Sequence, residues 1–357
     1  MRIEGNMEEN RSLAPFTTFG IGGPARWFVE ARNEDEIVEA TGWAGERGLP
    51  LFVVGGGSNL LVADRGFDGL VLKVGLKGIA ATKAGDGSGH MIYEVGAGAD
   101  WDGFVERTVQ DGCAGVECLA GIPGTVGGTP VQNVGAYGQE VASVICQVRA
   151  FDLADIAFVA FSAGECGFSY RRSRFNSVDR GRFILTRVDY RLTAGGAPTL
   201  AYPELQRAIE NEMKGRAPTL PEIAEVVRRI RRLKGMLLVE GDPDCRSAGS
   251  FFKNPVMDTE AVRKIAECSG KQPPTFPAGT ENAGRVKVPA AWLIEQAGFT
   301  KGFALGAARI SSRHTLALVN RGGATAVEVL ALAERISDAV EARFGVALER
   351  EPVLLGF

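Results

Sequence analysis

Apolar residues change period several times along this chain, and each change predicts an element. Asn33, with Glu36 three residues on, predicts a capped helix start, and Ile37, Ala40 and Ala44 follow at helical spacing. Leu51 to Val54 predicts a short buried strand running into Gly55-Gly56-Gly57-Ser58-Asn59. Residues 71–74 and 92–95 predict further strands. The second leads into Gly96-Ala97-Gly98-Ala99-Asp100-Trp101, where Asp100 caps a helix through Phe104, Val105 and Val109. A long glycine-rich segment, 121–138, precedes strands at 144–152 and 183–192, and in the latter Ile184, Val188, Tyr190 and Leu192 share one face. Residues 193–203 read as a linker. Beyond it, Ile223, Val226, Val227 and Ile230 give an amphipathic helix whose other side carries Arg228, Arg229, Arg231 and Arg232. Helices are predicted at 259–268, 290–297 and 324–344, with a strand at 316–319.

Composition narrows the class. A chain of 357 residues is too long for one ordinary core, so two or three domains are expected. The 40 basic and 43 acidic residues are well mixed, so nucleic acid is not a default partner. No apolar run approaches the ~20 residues that span a bilayer. Residues 1–10 are polar and charged, unlike a secretory signal, and a cytoplasmic location is expected. The six cysteines form no CxxC pair and are expected to be reduced and partly buried. Two histidines, His90 and His314, argue against a His-rich metal site and against Ser-His-Asp catalysis, and no metal is expected. The 47 glycines, about 13% of the chain against a usual ~7%, are clustered, which means backbone brought close to something.

The glycine loops follow strands, where backbone N–H groups can converge on an anion. They match neither GxGxxG nor a P-loop, yet three such loops in so short a span predict a phosphate-bearing cofactor. Tyr170-Arg171-Arg172-Ser173-Arg174 offers three guanidinium groups, suited either to a carboxylate ligand or to a solvated loop. The basic side of residues 228–234 reads as a wet helix face from which one or two cations meet a diphosphate. Ser250-Phe251-Phe252-Lys253-Asn254-Pro255 reads either as the end of a core strand or as an aromatic anchor that fixes Ser250 and the Lys253/Asn254 pair.

Together these segments resemble the UDP-N-acetylenolpyruvoylglucosamine reductase (MurB) family, in the subtype that carries a substrate-loop tyrosine. The matching pieces run in order through nearly the whole chain: Thr17 to Gly23, Gly55 to Leu61, Ile122-Pro123-Gly124 through Gly138, Phe168 to Arg171, Ala248 to Pro255, Ala291 to Gly298, and Leu348 to Val353. The resemblance implies an α+β fold. A FAD-binding region of the vanillyl-alcohol-oxidase/PCMH type, with two α+β subdomains, occupies 12–195. A smaller α/β substrate-binding domain occupies 204–357, its last strand packing back on the N-terminal region. FAD is expected to be non-covalent, since no histidine lies near the glycine loops; His90 is expected in solvent.

What the resemblance implies about chemistry is specific. NADPH is the co-substrate that reduces FAD, and the enolpyruvyl ether of UDP-N-acetylglucosamine then receives a hydride at its β-carbon and a proton at its α-carbon. The proton donor corresponds to Ser250, assisted by a cation such as Lys253 or Lys234. Arg171 faces the carboxylate, and Glu351 is the third catalytic residue, with Glu349 as the alternative should the register shift by Pro352. Cofactor contacts fall on Gly55, Gly56, Gly57, Ser58, Asn59, Ile122, Pro123, Gly124, Gly128, Gln132, Asn133, Gly135, Ala136 and Tyr137. Nucleotide-sugar contacts fall on Tyr202, Arg231, Lys234, Asn254 and Gln296. A monomer is expected. The competing readings are an oxygen-using flavin oxidase of the same superfamily and a non-catalytic nucleotide-sugar binding protein.

Overall fold

The computed structural model of the chain describes residues 3–278 and 282–357. The fold is α+β, in two units built from interleaved segments. One takes the chain up to Arg11, Ala25–Gly56 and Asp68–Arg232; the other takes Ser12–Pro24, Gly57–Phe67 and Leu233–Phe357.

The first unit has two sheets. In one, the strands Glu8–Ser12, Pro24–Ala31, Phe67–Val74 and Leu51–Val54 lie in that order, the last two parallel with Leu51 opposite Leu70. Helix α1 (Glu34–Glu46) starts as predicted. Asn33 accepts from the Glu36 N–H at 2.9 Å, and Ile37, Ala40 and Ala44 share a core with Val29, Leu70 and Leu72. Each fully buried leucine or valine there is worth about 1.5–3 kcal/mol.

The other sheet is antiparallel, in the order Ala157–Ser162, Ile145–Asp152, Phe183–Ala194, His90–Gly96, Ile79–Lys83. Its central strand departs from the predicted alternation. Ile184 packs in the core of α1, whereas Leu185, Val188, Tyr190 and Leu192 pack in a second core. The cause is a bulge in the strand itself: Arg149 lies opposite Arg187 but the next residue, Ala150, lies opposite Leu185, so Thr186 is an extra residue that turns the face over. His90 opens a strand, with its Nδ1 2.7 Å from Ser88 Oγ.

Helices α2 (Trp101–Gln110), α3 (Pro203–Met213) and α4 (Leu220–Leu233) contribute to that second core. The expected linker is shorter than predicted, because the strand continues to Ala194 and α3 begins at Pro203. Helix α3 escapes the sequence pattern because it buries only Leu205 and Ile209, too thin a stripe to register.

The second unit packs α5 (Thr259–Ser269), α6 (Ala290–Gln296) and α7 (Ala326–Phe344) around Phe19, Phe251 and Phe252. The strand predicted at 316–319 begins at Leu318, because the Leu316 carbonyl is taken by the Phe251 N–H at 2.8 Å. Val353–Leu355 pairs in parallel with Leu60–Val62, Val353 opposite Leu60. All six cysteines are free thiols, and only Cys268 is exposed.

Candidate active site

The predicted site residues divide between the two units. In the first, the glycine loops meet one another backbone to backbone. Gly98 N–H donates to Leu76 C=O at 2.7 Å, Gly127 N–H to Ala97 C=O at 2.8 Å, and Trp101 N–H to Gly124 C=O at 3.1 Å. A Cβ on Gly56 would fall 2.5 Å from Gly124 Cα, and one on Gly127 2.7 Å from Ala97 Cβ. These positions need glycine so that loops can touch. Of the N–H groups expected to converge on an anion, those at Gly98 and Gly127 are already taken. The backbone N–H groups of Gly55, Gly56, Gly57 and Ser58 differ, donating to no protein acceptor among the described residues. With Gly57 at φ +60°, they form a run of donors after a strand, suited to a phosphate.

Ile122, Pro123, Gly124, Gln132, Gly135 and Ala136 are half-buried, and Gly128 is exposed. Asn133 is buried, and its amide is used internally. Nδ2 donates to Glu140 and to the Ser169 carbonyl, both at 3.0 Å, while Oδ1 accepts from the Ala142 N–H. The second of these bonds ties the 121–138 segment to the turn that carries Arg171. In that turn Ser169 and Arg172 exchange backbone hydrogen bonds, and Arg171 takes φ +56°, a left-handed position that glycine usually fills. Asn176 Nδ2 holds the Arg171 carbonyl at 3.2 Å. The two other guanidinium groups of the motif differ in kind. Arg172 is exposed, and Arg174 pairs with Asp179 at 2.7 Å over the ring of Phe161.

The basic side of α4 is not a uniformly wet face. Arg228 pairs with Asp102 at 2.8 Å, and Arg231 is buried with its Nε–H on the Gly121 carbonyl at 3.0 Å. Burial holds the Arg231 guanidinium below its ordinary pKa, against the opposing pull of Tyr137 and Asp102. Arg229, by contrast, is a partly exposed partner of Glu212. Tyr137 is buried, its phenol pushed up to about 12 by that burial, and the ring of Tyr202 meets it edge-on at 5.5 Å. Asp102 is the participant that sequence reasoning missed. An acid in the first turn of a helix reads as a dipole partner, and nothing in the pattern links it to Gly121.

In the second unit Phe251 and Phe252 are wholly buried, as both the core-strand and the aromatic-anchor readings of Ser250 to Pro255 require. Phe251 C=O accepts from the Glu351 N–H at 2.9 Å, and Lys253 N–H donates to Glu349 C=O at 2.9 Å. Asn59 Nδ2 donates to the Glu351 carbonyl at 3.0 Å. Glu351 is thus fixed at both ends of its backbone, opposite the neighbour of Ser250. The Lys253 ammonium sits 2.6 Å from Glu349 Oε1, so the charge expected to assist Ser250 is already paired. Asn254 Oδ1 accepts from Ala290 N–H at 2.9 Å and so caps α6, whose last residue is Gln296. Lys234 is half-buried just past α4.

A family model described as the C-terminal domain of UDP-N-acetylenolpyruvoylglucosamine reductase matches residues 242–355, and one described as a FAD binding domain matches 25–155. A Streptomyces coelicolor protein named UDP-N-acetylenolpyruvoylglucosamine reductase is 47% identical over 96% of this chain and 89% of its own length. The chain belongs to the UDP-N-acetylenolpyruvoylglucosamine reductase family. Other relatives under that name include one from Thermobifida fusca, 44% identical over 97% of both chains. The crystal structure of the MurB reductase from Thermus caldophilus, 28% identical, matches with a TM-score of 0.65 over 98% of this chain and 99% of that one. Membership of the reductase family and the FAD binding domain make the protein an FAD-dependent oxidoreductase. The donor run at Gly55 to Ser58 fits the diphosphate of that cofactor. Among the described residues of this family member, no helix is long and apolar enough to cross a membrane.

Proposed function

We infer that the chain reduces UDP-N-acetylglucosamine enolpyruvate to UDP-N-acetylmuramate at the expense of NADPH, a step in peptidoglycan precursor synthesis. The observation that carries this reading is the backbone ladder that fixes Glu351 against Phe251, beside Ser250, inside the matched reductase domain. FAD, when bound, would supply the redox chemistry that links NADPH oxidation to hydride delivery at the β-carbon of the enol ether.

The remaining work falls to side chains. Ser250 Oγ gives its proton to the α-carbon, completing addition of H⁻ and H⁺ across the double bond. A serine hydroxyl is a weak acid, so the site must stabilise the alkoxide until solvent reprotonates it; Lys234 is the cation assigned to that task, Lys253 being paired with Glu349. Arg171 meets the substrate carboxylate, where enolate charge builds as the hydride arrives. Glu351 acts in its neutral form, because a second bare carboxylate beside the substrate's would repel it. Tyr202, Lys234, Asn254 and Gln296 are assigned to the nucleotide-sugar, and the enzyme to the cytoplasm as a monomer.

The test is a turnover assay on the purified yellow protein. NADPH consumption should depend on the enolpyruvyl nucleotide-sugar and yield the lactyl ether in equal amount. NADPH oxidation that produces peroxide and ignores that substrate would sink the reading.

A further inference from the structure

We propose that Asp102 is a positioning residue for the cofactor: with Arg231 it clamps the Gly121 peptide and so sets the stretch Ile122-Pro123-Gly124. The proposal rests on the reading of that stretch as a flavin contact. Gly121 N–H donates to Asp102 Oδ1 at 2.6 Å, and Gly121 C=O accepts from Arg231 Nε at 3.0 Å. Both bonds are charge-assisted, roughly twice as strong as neutral ones. Gly121 has φ +71°, a conformation that a freely rotating peptide would share with several others.

The clamp is one of three holds that the first turn of α2 exerts on this segment. Trp101 N–H takes the Gly124 carbonyl, and its indole N–H takes the Leu119 carbonyl, each at 3.1 Å. Residues 122–124 therefore hang between two fixed peptides. Arg228 balances the Asp102 charge with contacts of 2.8 and 3.3 Å, so that the carboxylate can face the loop without being drawn to Arg231. Burying the Arg231 guanidinium takes a charge out of water, which a helix with a free choice of surface would avoid. The geometry gives that burial an object, and it moves Arg231 from the nucleotide-sugar, where resemblance put it, to the cofactor loop.

The experiment strips flavin from the full chain and titrates FAD back by fluorescence quenching, alongside steady-state kinetics at saturating FAD. Asp102→Ala and Arg231→Lys should raise the FAD Kd tenfold or more and broaden the visible flavin band, with a small effect on KM for the nucleotide-sugar. Asp102→Asn keeps an acceptor for the Gly121 N–H and should recover at least half of the lost affinity on a logarithmic scale. A merely structural role would lower the melting temperature without that rescue. Folded Asp102→Ala protein that binds FAD within twofold of wild type overturns the clamp. So does Arg231→Lys protein with a raised KM for nucleotide-sugar and an unchanged FAD Kd. If Asp102→Ala does not fold, Arg231→Lys decides by the criterion just given for it. Wild-type protein that takes up no FAD would instead defeat the underlying cofactor reading.

Discussion

Lys253 Nζ lies 2.6 Å from Glu349 Oε1, joining side chains on the two antiparallel rows that also carry Ser250 and Glu351. Glu349 is largely exposed, so the pair is worth under about 1 kcal/mol. It nonetheless separates two carboxylates that sequence alone left interchangeable. Glu349→Gln should change kcat less than about threefold and leave stability nearly untouched. Glu351→Gln should lower kcat by roughly 10²-fold or more, the scale of a lost proton-handling group. Equal losses in the two variants would contradict the assignment.

Ser250→Ala should split the catalytic cycle. Stopped-flow absorbance should show NADPH still bleaching the bound flavin at close to the wild-type rate. Reoxidation by the enolpyruvyl substrate should slow by roughly 10²–10⁴-fold. Survival of both half-reactions would remove Ser250 as the donor.

Arg171 occupies a backbone position that costs a non-glycine residue about 1 kcal/mol or more. Arg171→Gly should therefore raise the urea midpoint slightly while abolishing substrate-driven reoxidation. Arg171→Lys keeps a charge but not the planar fork, and should recover only part of the activity. Stability and activity that fall together in Arg171→Gly would refute the idea that strain is held there for function.

Gly56→Ala and Gly128→Ala form an informative pair. The first puts a Cβ 2.5 Å from Gly124 Cα, so the loops must separate and both melting temperature and FAD affinity should drop. The second meets no protein atom within 4 Å. Any loss of flavin affinity there, with melting temperature unchanged, would report the ligand directly.

Asp152 is buried and accepts from Arg182 at 2.7 Å and from the Ala154 N–H at 2.9 Å; the Arg182 bond, first among the causes, holds its carboxyl down at about 2. A folded-state value below the unfolded 3.8 gives stability that is fully present above about pH 4 and lost as pH falls towards 2. The melting-temperature gap between wild type and Asp152→Asn should narrow over that interval. A gap that stays constant from pH 5 to pH 2 would rule out this linkage.

The glycine loops, α1, α2 and the buried pair Phe251-Phe252 were legible because each is written in contiguous residues: a cap with its apolar period, or adjacent phenylalanines. What stayed hidden depends on distant partners. The alternation in Phe183–Ala194 turns over at Thr186, which is an extra residue only by virtue of how the strand pairs with Ile145–Asp152. The inward turn of Arg231 depends on a carbonyl 110 positions away in the sequence, and no helical wheel contains that information. The roles of the glycines were half legible. Clustering showed that backbone approaches something, but whether a neighbouring loop or a ligand is approached depends on the packing.

The pairing of Leu60–Val62 with Val353–Leu355, and the bond from Asn59 to the Glu351 carbonyl across 292 positions, set an order of events during synthesis. Leu60–Val62 emerges from the ribosome early and must wait, edge unpaired, until almost 300 further residues have been made. Phe251, next to Ser250, likewise gains its second backbone partner only when Glu351 arrives. The second unit can therefore complete itself only after its final strand is released, and an exposed strand edge in the interim is an opening for chaperones or for aggregation.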